Sequence, residues 1–162
     1  SSSSSSSSIG LCFEVLPERL FTMTHLTELW VSNNSLTHIP GAALAGLTSL
    51  RLLAAEGNEL TAIDPEIGTM TSLERLYLGR NRLTGLPDEL KGLNKTLVEL
   101  NVSHNLLTVF PDPVTALRRL RRLDLSHNEI KGAIPGSIRA LRRLTDVYLD
   151  FNPELELGVG AG

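Results

Sequence analysis

Cysteine is almost missing from this chain of 162 residues, which contains one, Cys12. A lone thiol closes no intramolecular disulfide, so core packing and backbone bonding must hold the fold, and a reducing, intracellular and cytoplasmic setting is the expectation. Aromatic residues are nearly as scarce at 4%, so any that gather on one surface stand out. No apolar run approaches the ~18 residues that a membrane-crossing helix needs, and no membrane partner is expected. No charged stretch followed by an apolar one opens the sequence, and a secretory signal is not expected.

Motifs of catalysis are missing as well. The chain has no G-x-x-x-x-G-K-[ST] loop, no G-x-S-x-G turn and no H-E-x-x-H pair, and no paired carboxylates flank a pocket-forming segment. His25-Leu26-Thr27-Glu28 offers half a metal motif, but its leucine is needed for packing. The expectations are therefore no enzyme, no cofactor, no metal site and no small-molecule substrate.

What is present is a period. Asn34, Asn58, Asn81, Asn105, Asn128 and Asn152 follow one another at intervals of 24, 23, 24, 23 and 24 residues, and each closes the frame L-x-x-L-x-L-x-x-N. Residues such as Leu73, Leu76, Leu78 and Asn81 fill the frame in one unit, and Leu97, Leu100, Val102 and Asn105 in the next. The x-L-x-L core alternates outward and inward residues, as a strand with one buried face does. The asparagine amide can both donate to and accept from backbone groups that a buried turn would leave unpaired, so its role is read as structural. A second apolar register follows each strand: Leu16-Pro17, Ile39-Pro40, Leu86-Pro87, Phe110-Pro111 and Ile134-Pro135. Proline suits the first turn of a short helix or an irregular extended segment, where no amide donor is required.

These six in-phase units resemble the leucine-rich repeat family over nearly the whole chain from about Leu16. Most units are similar to the N-x-L-x-x-L-P type of intracellular members, while Asn128 to Pro135 resembles the plant-type N-x-L-x-G-x-I-P variant. The resemblance implies an α/β solenoid, a curved horseshoe with a parallel β-sheet on the concave face and an irregular or short-helical convex side. It also implies a non-catalytic protein-interaction scaffold or adaptor. Extracellular members usually cap their ends with disulfides, which Cys12 alone cannot supply. The repeat domain is expected over 11–157. A serine-rich lead-in or unassigned repeat occupies 1–10, and a glycine-rich tail occupies 158–162. Three sequons, at Asn33, Asn94 and Asn101, are read as accidental, because a glycan on Asn101 would obstruct the concave face.

Stacked repeats turn equivalent outward residues into columns about 4.8 Å apart. One column holds Glu28, Leu52, Arg75, Glu99, Arg122 and Asp146; the next holds Trp30, Ala54, Tyr77, Asn101, Asp124 and Tyr148. The only tryptophan and both tyrosines share that second column. Trp30, Tyr77, Asn101, Asp124 and Tyr148, with Arg75 and Arg80 beside them, are the expected protein-binding residues, since exposed Trp, Tyr and Arg carry most interface energy. His104 and His127 should sit about 5 Å apart, but two imidazoles do not make a zinc site.

Charge is uneven. Residues 1–90 carry 5 basic and 10 acidic side chains and residues 91–162 carry 10 and 8, balances of −5 and +2. Ala116-Leu117-Arg118-Arg119-Leu120 recurs as Ala140-Leu141-Arg142-Arg143-Leu144. Arg118, Arg119, Arg142 and Arg143 should therefore stack as like charges, which suits an acidic protein surface or RNA phosphates. The alternative function is a structural subunit of a large ribonucleoprotein or cytoskeletal assembly that uses this patch.

Overall fold

The structure, a computed structural model, describes residue 22 and residues 24–156. The serine run, Cys12, Leu16-Pro17 and the tail at 158–162 lie outside the described residues. Among the described residues, eight short strands run in chain order: β1 Glu28–Trp30, β2 Leu52–Ala54, β3 Arg75–Tyr77, β4 Glu99–Asn101, β5 Arg122–Asp124, β6 Gly132–Ala133, β7 Asp146–Tyr148 and β8 Leu155–Glu156. Six of them form one parallel sheet in the order β1-β2-β3-β4-β5-β7. The expected solenoid is present, with no slip in register: Leu29, Leu53, Leu76, Leu100, Leu123 and Val147 align rung by rung.

Each strand of the six-stranded sheet is three residues long because only its central residue must point inward. Leu29, Leu53, Leu76, Leu100 and Leu123 are buried, with the preceding Leu50, Leu73, Leu97 and Leu120 beneath them. The core is thus one continuous leucine column that no single repeat could bury alone. Val147 stays 38% exposed because β7 is the last rung of the main sheet among the described residues.

Among residues 24–156 the return side is built from one α-helix, α1 Gly41–Gly46, and four 3₁₀ segments, Pro65–Thr69, Asp88–Leu93, Asp112–Ala116 and Gly136–Ala140. Tight 3₁₀ turns fit a segment of five or six residues that must reverse the chain. Of the two settings expected for these prolines, the extended one is observed. Pro40, Pro87, Pro111 and Pro135 are helix N-caps with φ between −63° and −71° and extended ψ. Their ring fixes a φ shared by the extended cap and the helix that follows. Among the described residues, only Pro65 and Pro113 lie within a first turn.

The asparagines join the repeats. Asn105 Nδ2 donates to the carbonyls of Val102 at 2.7 Å and Ser103 at 2.9 Å, and also to Leu78 of the preceding repeat at 3.1 Å. Its Oδ1 accepts from the Leu83 amide at 3.1 Å. Asn58, Asn81, Asn128 and Asn152 repeat this arrangement, and all six asparagines are buried. After Asn128 the plant-like segment adds a feature: Gly132, at φ +78°, starts β6, which pairs in parallel with β8 one repeat later.

Asn105→Ala removes an amide that satisfies four buried backbone groups, and should lower unfolding stability by about 2–4 kcal/mol in denaturant titration. Lys91→Ala, on an exposed 3₁₀ position, should change it by less than about 0.5 kcal/mol.

Candidate binding surface

The outward column of the sheet does not emerge as one aromatic line. Trp30 and Tyr148 are exposed and Tyr77 is half-buried, but Ala54, between Trp30 and Tyr77 in register, is only 2% accessible. An alanine shaded by two large neighbours becomes a floor. Leu52, expected to point outward between Glu28 and Arg75, is likewise buried. Tyr148 stands three rungs beyond Tyr77, about 14 Å at ordinary strand spacing, with Asn101 and Asp124 between. The surface therefore has a compact aromatic end at Trp30, Ala54 and Tyr77, and a separate Tyr148.

The polar members of the column are partly engaged at home. Asn101 Oδ1 accepts from the Ser103 amide at 3.1 Å and from its hydroxyl at 2.9 Å, and Asp124 Oδ1 accepts from the Ser126 amide at 3.1 Å and hydroxyl at 2.7 Å. These bonds brace the chain as it leaves the strand. The neighbouring column alternates in charge, Arg75, Glu99, Arg122, Asp146, and Arg122 Nε lies 3.4 Å from Asp146 Oδ2. Glu99 and Asp146 hold the Arg122 guanidinium above its ordinary pKa. Tyr77 donates its hydroxyl to Glu99 Oε1 at 2.7 Å, and burial first, then this bond and the carboxylate's charge, push the phenol up to about 12.

One feature escaped the sequence reading. Asn33, Gly57, Arg80, His104, His127 and Phe151, each immediately before a ladder asparagine, all have φ between 55° and 73°. Gly and Asn visit this left-handed region readily, but Arg, His and Phe do so at a cost of about 1–3 kcal/mol. Backbone bonds between repeats hold them there, including Arg80 N to Ser103 O at 2.9 Å and His104 N to Ser126 O at 3.1 Å. The fixed position before the asparagine was the available signal; the residue types hid it. The constraint lines up three rings: His104 stacks on His127, and His127 on Phe151, with centroids 4.0 Å apart in both pairs. Partial burial, then the nearby His127 and Arg80, lower the His104 pKa. No group of side chains able to hold a metal occurs among the described residues.

The arginines rearrange relative to expectation. Arg118, Arg142 and Arg143 converge on one depression with Arg139, around Ala140. Arg119 does not line it and reaches the Lys95 carbonyl at 3.5 Å instead. The salt bridges among the described residues, His38–Asp64 and Arg122–Asp146, include none of these arginines.

A family model described as leucine rich repeat matches residues 12–60, 56–107 and 95–153. Solved structures agree. A leucine-rich repeat protein of Leptospira interrogans superposes with a TM-score of 0.80 at 29% identity, covering 88% of this chain and 35% of its own. A plant peptide hormone receptor, solved in complex with RGF2, gives 0.76 at 28% identity, covering 88% and 23%. The ectodomain of the receptor kinase GASSHO1/SCHENGEN3 from Arabidopsis thaliana, in complex with CASPARIAN STRIP INTEGRITY FACTOR 2, gives 0.73 at 27% identity, covering 84% and 17%. The chain thus spans about a third or less of the length of these three proteins. A search of curated proteins finds no match.

Because folding favours the protonated Tyr77 phenol, its stabilisation is complete below the ordinary value of 10.0 and is lost as pH rises from there through about 12. In an alkaline titration of phenolate absorbance, one tyrosine should ionise near 12. Glu99→Gln should lower that midpoint without returning it to 10.0, because burial is the larger cause. An unchanged midpoint in the variant would contradict the contact.

Proposed function

The chain belongs to the leucine-rich repeat family, and from that premise we propose that it is a non-catalytic interaction module, a scaffold or adaptor that takes a peptide or protein partner on its sheet face. The carrying observation is the aromatic end of the sheet. Trp30 and Tyr77 stand on either side of the buried Ala54, with Arg75 and Arg80 beside Tyr77. Register bonding fixes the backbone there, so a partner meets apolar area that needs little ordering on binding. Tyr148, Asn101 and Asp124 extend the surface. Two of the superposed relatives are solved with bound factors, and one is described as a peptide hormone receptor, which supports a peptide as one class of partner. The single cysteine supports an intracellular setting.

Peptides selected from a displayed random library against the chain should lose affinity about tenfold or more for the variant Trp30→Ala, Tyr77→Ala, Tyr148→Ala, and should bind Lys91→Ala normally. Selected peptides that ignore the triple variant would sink this reading.

A second reading rests on the uncompensated arginines. Arg118, Arg139, Arg142 and Arg143 gather at one depression, so an acidic protein segment or RNA phosphates, within a larger assembly, would relieve their mutual repulsion. Binding of polyglutamate or single-stranded RNA should weaken with added salt. It should also fall about tenfold or more in Arg118→Glu, Arg142→Glu, Arg143→Glu, with the thermal midpoint nearly unchanged. Unaltered binding at low salt would leave the cluster as a solvated face.

A further inference from the structure

We propose that the notch over Gly79 is a subsite for a basic side chain, Lys or Arg, of a peptide or protein partner; this rests on the sheet-face reading and deepens it. Gly79 follows β3 in the same outward column as Ser32, Glu56, Ser103 and Ser126, yet it is buried and has no side chain. Its φ is negative or extended, unlike that of Gly57, so the backbone does not require glycine here. The missing side chain leaves the floor of a surface depression bare, with neighbouring oxygens close around it. A Cβ at this position would lie 3.2 Å from Asn101 Oδ1, 3.2 Å from Ser103 Oγ and 3.4 Å from Glu56 Oε2.

All three atoms are oxygens, and their bonding determines what they can receive. The Ser103 hydroxyl hydrogen is committed to Asn101 Oδ1, so Ser103 Oγ faces the hole with lone pairs. Asn101 Oδ1 already accepts from the Ser103 amide and hydroxyl, while Glu56 has no ion pair among the described residues. The notch is therefore a convergence of acceptors around one carboxylate. An ammonium or guanidinium group supplies donors and the charge opposite to Glu56 together, whereas a carboxylate or phosphate would face that like charge. Arg80 lines the same depression without pairing with Glu56. Its charge opposes a bound cation, which gives the site a sign that can be tested from both directions.

The test uses the full chain, isotope-labelled, titrated with the capped peptide acetyl-Gly-Arg-Gly-amide, and separately with peptides carrying norleucine or glutamate at the centre. The arginine peptide should move the amide resonances of Glu56, Gly79 and Ser103, and the other two should not. Glu56→Gln should weaken binding about fivefold or more, and Arg80→Gln should strengthen it. Gly79→Ala, which fills the hole, should abolish the shifts while the thermal midpoint shows that the chain is folded; if that variant does not fold, Glu56→Gln decides. Equal shifts with norleucine, unchanged affinity in Glu56→Gln, or persistent binding in a folded Gly79→Ala would each overturn the assignment. These probes need neither Trp30 nor Tyr148, so a negative titration rejects the notch alone and leaves the wider sheet-face reading to its own variant.

Discussion

Everything in this molecule hangs on one hydrogen-bonded unit, the buried asparagine amide that ties each repeat to the one before it. A three-residue strand is too short to hold a neighbour in register by itself, and the turn that follows it points polar backbone groups into a leucine core. Each such group left unpaired costs about 1–3 kcal/mol. Asn128 shows the solution. Its Nδ2 satisfies Leu125, Ser126 and the preceding repeat's Val102, and its Oδ1 receives the amides of Asn105 and Leu107. The same side chain that closes a turn therefore sets the spacing between turns.

That constraint shapes the face a partner would meet. Because the ladder fixes the backbone just beyond each strand, the residue before each asparagine is held in the left-handed region whatever its type, and residues as unlike as Arg80 and Phe151 share one backbone conformation. Stacked rings along His104, His127 and Phe151 and the open notch at Gly79 are two outcomes of one backbone with different residues on it. Different residues at these positions change what the sheet face presents while the asparagine ladder and the leucine core stay the same.

The solenoid was legible because its determinants are local and repeated: the leucine frame states the buried face, and the asparagine interval states the period. Sequence registers also named the right columns. What they could not state was accessibility, since that depends on neighbours 23 or 24 residues away. Leu52 and Ala54 sit at outward positions and are buried, Asn101 and Asp124 bond to serines two residues on, and Arg119 turns to the Lys95 carbonyl while Arg139 joins the arginine depression. Proline showed the same limit: its fixed φ signalled a helix start but did not separate the cap from the first turn.

Amide hydrogen exchange tests the ladder most directly. The amides of Leu36, Leu60, Leu83, Leu107 and Ile130 lie outside any strand, and each donates to the Oδ1 of an asparagine in the following repeat. If those bonds hold the repeats together, these five amides should exchange as slowly as Leu76 and Leu100 in the sheet and open only with the whole array. Exchange at the rate of exposed loop amides, with the strands still protected, would show that the leucine column alone holds the solenoid together and would contradict the account.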